Sequence, residues 1–350
     1  NLSAVIASFF PLEIAPLVTV YMALIVKIYL FLYILYSDSN FLKSKFDKSI
    51  VSLILLLTPM MTSTIWLNTL VSQIYFTIIV ILIFFQKENS KVFINKFSNL
   101  VIFISGFTSI LSCFFTPFFL LKYIRNKNRY NFLRFFSSVI PFLFQLTIFI
   151  YSNIANITDE NRFFLSLNKF ANFLYNGPVK SILGTDLSKI IYTNIFSENI
   201  VIATLIVSFA IGFLIFIILY QLKKKTINDN VILYLLGFFI LHSFLAIITS
   251  KYDQVQGRYA VIPSVLFILI IYRLFQINKN YLKSFFFSII FLSICLGSFE
   301  YKLNNKYPHF LDCLDGCPNW IEEVKKWKID PDYNLKIWDY PRKTMKLSQK

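Results

Sequence analysis

The segment NLVIFISGFTSILSCFFTPFFLL, residues 99–121, decides the fold of this chain because it is apolar throughout yet interrupted near its centre. None of its 23 residues is charged, and an α-helix of that length can cross about 30 Å of hydrocarbon. Ser105 and Gly106 lie near the middle and Pro117 follows them. A membrane helix can break at such residues if protein or water covers the freed backbone groups.

Runs of the same kind recur along the chain and indicate a membrane protein. Of the 350 residues, 57% are hydrophobic and 15% are charged, whereas soluble domains carry about 25% charged residues. The further apolar runs cover residues 14–36, 49–60, 68–85, 135–152, 199–220, 231–249, 259–275 and 284–299. We therefore predict an all-α, polytopic membrane protein, with about eight full transmembrane helices and a broken helix pair in 1–299 and a polar tail at 300–350.

The distribution of basic residues predicts how these helices are oriented. Seventeen of the 34 Lys and Arg residues lie in five connections, at 38–49, 86–98, 122–134, 221–230 and 273–283. Basic connections face the cytoplasm under the positive-inside rule. Because the run at 99–121 separates two of them, a broken helix pair turning near 105–107 would keep both on one side. The alternative is a straight span with a weakly basic loop outside.

The remaining polar segments are predicted to meet on the opposite, external face. They are 1–13, 60–67, 153–198, 250–258 and the tail. Residues 153–198, with four basic and four acidic side chains, should form one or two interfacial helices. This pattern predicts a multi-pass protein of the cell membrane, in a bacterial inner membrane. The formal charge of +16 indicates no nucleic-acid partner, because no basic stripe with interleaved aromatic residues accompanies it.

The sequence QVQGRYAVIP, residues 254–263, lies where a predicted external connection enters the next apolar run. The candidate binding residues in it are Gln254, Gln256, Arg258 and Tyr259. A planar guanidinium at a helix N-terminus suits a phosphate, because the helix dipole and free N–H groups add to it. Gly257 permits close backbone approach, and the Tyr259 ring could stack on a sugar. The alternative is that Arg258 and Tyr259 only anchor the helix at headgroup level.

With Pro263 in the following span, this motif resembles one found in bacterial multi-span glycosyltransferases of the GT-C class and their uncharacterised membrane relatives. The segments 103–121 and 64–76 are similar to these proteins as well. Where the class has a Thr-Lys-Gly-Pro turn, this chain has Ile104 to Phe107, without the Lys and the first Pro. The resemblance also implies an acidic residue in a first external loop, which we expect in a segment preceding Asn1.

The resemblance implies an activity as well as a fold. It implies transfer of a sugar from a polyprenyl-phosphate donor at the extracytoplasmic face, with no cofactor other than this lipid-linked substrate. The need for a divalent metal stays open.

Carboxylates and amides on the external face are further candidates for the site. Glu13 and Asp253 are the predicted catalytic residues, since a carboxylate can activate an acceptor hydroxyl. The alternatives are a helix-start carboxylate favoured by the dipole for Glu13 and a salt bridge for Asp253. Asn68 and Gln73 are predicted to bind the sugar in a polar cavity, or else to hydrogen-bond between helices.

The tail contains two further patterns. Cys313 and Cys317 are predicted to form a disulfide, because an external location permits oxidation. A metal site is not predicted, because a fourth ligand is not evident. Trp320, Val324 and Trp327 follow i, i+4, i+7 spacing, which predicts a short amphipathic helix.

Three functions are compatible with these patterns, and the sequence leaves open whether the chain is an enzyme. The first is a GT-C-like membrane glycosyltransferase whose partners are membrane lipids and a polyprenyl-phosphate sugar. The second is a transporter or flippase of a lipid-linked or small polar solute. Transporters usually carry paired charges at mid-membrane, where this chain has Lys27. The third is a non-catalytic membrane protein of an envelope assembly.

Overall fold

The computed structural model describes most of the chain and leaves out several short segments. The described residues are 2–58, 72–88, 97–154, 165–196, 200–223, 230–250, 255, 257–303, 318–338 and 343–347. At some of them, Arg258 included, the backbone alone is described.

Almost all secondary structure in these stretches is helical. In chain order the helices are α1 (Leu2–Ala7), α2 (Ala15–Tyr36), α3 (Lys45–Leu57), α4 (Ser72–Phe84), α5 (Ser98–Thr108), α6 (Ile110–Cys113), α7 (Thr116–Arg125), α8 (Arg129–Ile154), α9 (Leu167–Leu174), α10 (Lys180–Ile191), α11 (Ile200–Lys223), α12 (Asn230–Thr249), α13 (Gly257–Ile277), α14 (Asn280–Leu303) and α15 (Trp320–Ile329). Short turns of other helical types cover Leu12–Ile14, Tyr175–Val179 and Tyr192–Phe196.

Within the described residues, five helices are long and apolar enough to cross a membrane, so the chain is a helical membrane protein. They are Leu12–Tyr36, Arg129–Ser152, Asn230–Thr249, Tyr259–Ile277 and Tyr281–Glu300. The run predicted at 199–220 is the 24-residue helix α11. The run predicted at 49–60 overlaps α3, and the run predicted at 68–85 contains α4. Each helix has 13 residues and is about 20 Å long. Residues 59–71 between them lie outside the described stretches, so the count of eight full spans stays a prediction.

The basic connections lie together at one end of the helix bundle, which we call the basic end. Four side-chain contacts join them, namely Lys87–Asp38 (2.7 Å), Asn131–Glu88 (2.9 Å), Arg125–Tyr234 (3.0 Å) and Gln276–Asp47 (2.7 Å). They connect the segments around 38–47, 87–88 and 125–131 to the second turn of α12 and the last turn of α13. The described parts of the connections at 38–49, 86–98, 122–134 and 273–283 therefore meet at one end, residues 224–229 lie outside the described stretches, and the cytoplasmic location of the five connections stays a prediction.

The opposite ends of the long helices carry the described parts of 1–13, 153–198, 250–258 and the tail, and we call this the polar end. Four contacts define it, namely Lys328–Glu13 (2.5 Å), Trp320–Leu12 (2.8 Å), Lys169–Ser250 (2.7 Å) and Asn176–Val255 (3.0 Å). Two groups of segments therefore form there. The tail packs on the start of α2, and residues 166–196 pack where α12 ends and α13 begins.

The run at 99–121 forms a hairpin of helices along α8. Gly106, in α5, lies against Pro141, and Gln145 Nε2 donates a 3.2 Å hydrogen bond to Phe107 O. Because Ser98 begins α5 near the start of α8, the two helices run in the same direction. This arrangement brings the C-terminal end of α5 towards the middle of the bundle.

Helix α7 then returns to the basic end. Thr116 Oγ1 donates to Ser138 O at 3.3 Å, and the rings of Tyr123 and Phe132 lie 5.6 Å apart, so α7 runs antiparallel to α8. The fold-back predicted from the loop charges is present. Its position differs from the prediction, because α5 continues through 105–107 and the chain first leaves the helical conformation at Ser109, where φ is −135°.

Helix α13 occupies the centre of the bundle. In its most apolar stretch 78% of the residues are buried, against 17% for α8, and it packs between α12 and α14. A helix that is apolar on all sides is expected in such a position. Its one fully buried tyrosine, Tyr272, donates from Oη to Asp47 Oδ1 at 2.5 Å, which ties α13 to the capped start of α3.

The tail begins with the predicted helix and ends with strands that the sequence did not predict. Asn319 Oδ1 accepts a 3.1 Å hydrogen bond from Ile321 N and caps α15. Strands β1 (Leu335–Trp338) and β2 (Lys343–Met345) pair antiparallel and add a short two-stranded element to an otherwise helical fold. Leu335 is fully buried, and strands of three or four residues give too little alternation for recognition. Cys313 and Cys317 lie outside the described residues.

Candidate functional site

Residues 166–191 enter the bundle from the polar end and turn back inside it. Ser166 Oγ caps α9 by accepting from Lys169 N at 3.1 Å, and the turn Tyr175–Val179 separates α9 from α10. Gly177 in that turn lies against Ser264, which is seven residues inside α13. Seven helical residues correspond to about 10 Å. The segment is therefore inserted between helices, deeper than the interfacial position predicted for it.

This inserted segment is fixed to the corner between α12 and α13. Lys169 Nζ donates a 2.7 Å hydrogen bond to Ser250 O, and Asn176 Nδ2 donates a 3.0 Å hydrogen bond to Val255 O. Val255 is fully buried and belongs, with Phe173, to a small apolar cluster that Tyr259 borders. The corner predicted as a binding motif therefore contacts a segment for which the sequence suggested no role in binding.

Two lysines of this segment are buried. Lys169 is fully buried, and Lys180, at the start of α10, is 1% exposed. Burial lowers the pKa of Lys180, and the nearby Glu300 carboxylate opposes that shift. Burying an ammonium is unfavourable without a compensating negative group, and Glu300 supplies one for Lys180, to which a bound anion could be added.

Glu300, near the end of α14, holds the second half of the segment. Its carboxylate accepts hydrogen bonds from Thr185 N and, at 2.9 Å, from Thr185 Oγ1. Gly184 makes this contact possible, since its φ is +73° and a Cβ there would lie 2.7 Å from Glu300 Oε1. Only glycine adopts this conformation at low energetic cost beside the carboxylate.

The start of α13 presents backbone N–H groups at the same corner. The helix begins at Gly257, so Arg258 lies in its first turn, where the dipole favours an anion. Tyr259 is partly buried beside the apolar cluster. The Arg258 side chain and residues Asp253, Gln254 and Gln256 lie outside what the structure describes, so their predicted roles stay predictions.

Glu13 has a partner that the sequence did not suggest. Its Oε1 pairs with Lys328 Nζ at 2.5 Å, and Trp320 Nε1 donates to the adjacent Leu12 O at 2.8 Å. Both contacts come from α15, so Glu13 holds the tail on the start of α2. Its predicted catalytic role stays a prediction, and in this arrangement the carboxylate is engaged by the tail.

The predicted sugar-binding pair lies elsewhere. Gln73 is partly buried in the first turn of α4, and its carbonyl accepts from Thr77 Oγ1 at 2.8 Å, while Asn68 falls outside the described residues. His242, the histidine of α12, is packed and hydrogen-bonded, with Nδ1 3.0 Å from Phe238 O. The described part of the chain contains no group of three or more His, Cys, Asp or Glu side chains that could hold a metal ion.

Lys169, Lys180 and Glu300 are the polar-end residues that sequence reasoning missed. A usable signal exists in NKFANFLYNGPVKSILGTD, residues 168–186, where two lysines flank a Gly-Pro turn within short apolar runs. The balanced charge of the surrounding segment concealed it, because balanced charge is also typical of a solvated loop.

Comparison of the chain with protein-family models, with curated proteins and with solved structures finds no match in any of the three.

Proposed function

We propose that this chain is a GT-C-like membrane glycosyltransferase that binds a polyprenyl-phosphate-linked sugar at the polar end. The observation that supports it most is the contact of residues 166–177 with the α12–α13 corner through Lys169 and Asn176. That contact places the buried Lys180 one helical turn beyond the residues that touch α13. A lipid phosphate at the corner would meet this ammonium, the first turn of α13 and the Arg258 guanidinium.

The proposed reaction uses these groups in distinct roles. Arg258 and Lys180 hold the phosphate and stabilise the negative charge that it gains as the glycosidic C–O bond breaks. The acceptor hydroxyl attacks the anomeric carbon and gives its proton to a carboxylate, for which Asp253 is the candidate nearest the motif. Gln254 and Gln256 would orient the sugar, and the polyprenyl phosphate leaves along the outer leaflet.

Binding of polyprenyl phosphate to the purified protein in detergent tests the phosphate site. We expect Lys180→Met and Arg258→Lys each to weaken binding about ten-fold or more, because a charge-assisted hydrogen bond contributes about 1.5–3 kcal/mol. Lys189→Met is the matched control, because Lys189 is exposed on the same helix. This variant should bind polyprenyl phosphate as tightly as the wild type. Equal affinity of all four proteins, with unchanged thermal stability, would refute the phosphate site.

Transfer itself needs a separate assay. Polyprenyl-phosphate sugars of several kinds would be incubated with the protein in liposomes, and free polyprenyl phosphate would be measured. Release that depends on Asp253 and Arg258 supports a transferase. Binding without any release of polyprenyl phosphate or movement of sugar would leave a non-catalytic membrane protein.

A transporter or flippase is the second candidate, and one observation favours it. Two interrupted helix pairs enter the bundle from opposite ends, α5–α7 from the basic end and α9–α10 from the polar end. Discontinuous helices of this kind form the binding sites of many secondary transporters. Movement of an intact lipid-linked sugar across a liposome membrane, without cleavage, would support this candidate over the transferase.

A further inference from the structure

Helix α15 carries apolar side chains on two different sides. On one side Val324 is fully buried and Trp320 Nε1 donates to Leu12 O at 2.8 Å, so this side packs on the start of α2. On the other side Ile321 and Ile329 are exposed, Ile329 to 86%. Eight residues separate the two isoleucines, which is just over two helical turns, so they project on the same side about 12 Å apart. The helix therefore has an apolar face that the described part of the chain leaves uncovered.

This exposed face lies at the end of a membrane-spanning helix. The spanning stretch is Leu12–Tyr36, and Trp320 donates its hydrogen bond to the first residue of that stretch. Helix α2 exposes Leu17, Tyr21 and Ile25 along one side, at the i, i+4, i+8 spacing of a lipid-facing stripe. Because lipid surrounds such a stripe in the membrane, α15 is attached near the level at which the hydrocarbon region ends.

The chain before α2 independently places large apolar side chains at the same end. Phe9 is 81% exposed and Phe10 is 47% exposed, and α1, which precedes them, packs on α2. Exposure of a phenylalanine ring to water is unfavourable, whereas such rings insert readily at the boundary between lipid headgroups and acyl chains. Two segments that are far apart in the sequence thus expose apolar side chains beside the start of one spanning helix.

The composition of the exposed face favours lipid over a protein partner. Lys325 is exposed and lies four residues after Ile321 and four before Ile329, so its side chain emerges between the two isoleucines. Lysine is depleted in protein–protein interfaces. At a bilayer surface its ammonium reaches the headgroup phosphates while its aliphatic part lies along the neighbouring apolar side chains. An apolar stripe with an interleaved lysine is typical of helices that lie in the plane of the membrane interface.

We propose that α15 docks on the surface of the bilayer that α2 spans, with phospholipid as its partner. Ile321 and Ile329 insert between the headgroups, and Lys325 binds a headgroup phosphate. Phe9 and Phe10 extend the apolar contact to the start of α2. The tail is then held both by its contacts with α2 and by lipid. This docking does not depend on the proposed transferase activity, because none of these residues belongs to the candidate phosphate site.

Spin labels on single cysteines test this docking in the full-length protein, with its four native cysteines replaced by serine. The protein is reconstituted into nanodiscs of phosphatidylcholine and phosphatidylglycerol. Oxygen concentrates in the hydrocarbon region and a nickel chelate stays in water, so the ratio of their collision rates with the label reports contact with lipid. We expect Ile321→Cys and Ile329→Cys to give a ratio several-fold above that of Asp332→Cys, at an exposed tail residue beyond the helix. Tyr21→Cys, on the lipid-facing stripe of α2, supplies the lipid reference.

A second comparison separates docking by the protein's own side chains from insertion of the label itself. The label at Lys325→Cys is measured with both isoleucines intact and with Ile321→Ser and Ile329→Ser combined. The ratio should fall to that of Asp332→Cys in the combined variant, because the apolar side chains that hold α15 on the bilayer are then absent. A ratio at both isoleucine positions equal to that of Asp332→Cys would overturn the proposal. Exclusion of both oxygen and nickel there, as expected under a protein partner, would overturn it as well, and so would a ratio at Lys325→Cys that the serine substitutions leave unchanged.

Discussion

Asn131 donates a 2.9 Å hydrogen bond from Nδ2 to Glu88 Oε1 and so joins the connection before α5 to the first turn of α8. Asn128 Nδ2 donates to the other Glu88 oxygen at 2.7 Å. These residues flank the apolar run at 99–121, which is long enough to separate them by a membrane. Because they touch, the run enters and leaves the bundle at the same end.

This contact predicts the outcome of labelling in cells. Single cysteines at Asn89 and Asn126, in a chain whose four native cysteines are replaced by serine, should both resist a membrane-impermeant thiol reagent added outside. The basic connections should face the cytoplasm under the positive-inside rule. A cysteine at Asn319, in the tail, should react under the same conditions.

Labelling after permeabilisation, and comparison among the three positions, provide the controls. After the membrane is permeabilised, Asn89→Cys and Asn126→Cys should become reactive, which excludes a merely buried thiol. Protection of only one of the two would contradict the hairpin. Reaction at both of them with protection at Asn319 would reverse the orientation without affecting the fold.

Close packing of α5 on α8 predicts a large effect of one added methyl group. A Cβ at Gly106 would lie 2.5 Å from Pro141 Cβ and 2.8 Å from Pro141 Cγ, so one of the two helices would have to shift. Gly106→Ala should therefore lower the free energy of unfolding by about 1–3 kcal/mol. Thermal unfolding in detergent measures the change.

Gly212 supplies the control for that substitution. It lies in α11, and a Cβ there would have no heavy atom within 4 Å apart from its own helix. Gly212→Ala should be neutral or stabilising by up to about 1 kcal/mol, because alanine is the better helix former. Unfolding of both variants at the same temperature would contradict the close packing of α5 against α8 at Gly106.

We expect that lysine cannot replace Arg134 without a loss of stability. It is fully buried on α8, donates from Nη1 to Ile83 O at 2.8 Å and from Nη2 to Gln86 Oε1, and its guanidinium lies 4.1 Å from the Tyr130 ring centroid. Lysine keeps the charge but cannot bond two acceptors in the same plane. Arg134→Lys should lower the free energy of unfolding by about 1.5–3 kcal/mol.

Arg125 is the comparison residue for this substitution. It is exposed, and its Nη1 donates to Tyr234 Oη at 3.0 Å. Arg125→Lys should change stability by less than about 0.5 kcal/mol, as is usual at the surface. Thermal unfolding of the two variants side by side measures the difference. If Arg134→Lys were as stable as the wild type, the hydrogen bonds of Arg134 would contribute little to the free energy of unfolding.

Much of the fold was predictable because its causes are local in sequence. Apolar runs indicated the helices, and basic connections indicated their grouping at one end. The loop charges also favoured a fold-back within 99–121 over a straight span. The residue at which it turns was not predictable, because Gly106 reads as a turn residue but serves close packing against Pro141, and α5 continues through it.

The candidate site was less predictable, for a physical reason. Whether Lys169 and Lys180 are solvated or buried depends on which helices surround them, and that information is not local. Glu300 looked like the first residue of a polar tail, yet it accepts hydrogen bonds from Thr185, 115 residues earlier in the chain. The motif at 254–263 marked the right corner of the molecule but only part of what surrounds it.

The tail contains a carboxylate whose ionisation should control its folding. Glu323, in the first turn of α15, is buried and joins the helix to the strand region. Its carboxylate accepts from Lys326 Nζ at 2.8 Å, Tyr333 Oη at 2.7 Å and Lys336 N at 2.9 Å. Burial alone would raise the pKa of Glu323, but these three hydrogen bonds together lower it to about 2.

A carboxyl group whose pKa is lower in the folded state stabilises that state above its unfolded pKa, here 4.5, and the contribution is lost as the pH falls towards 2. The tail should therefore loosen between these values. Fluorescence of Trp320 and Trp327, with Trp66 and Trp338 replaced by Phe, should shift to the red over this range. Glu323→Gln should show the loosened spectrum already at pH 7, whereas Glu322→Gln, at an exposed neighbour, should titrate like the parent. A spectrum that stays constant down to pH 2 in the parent would mean that Glu323 does not hold the tail together.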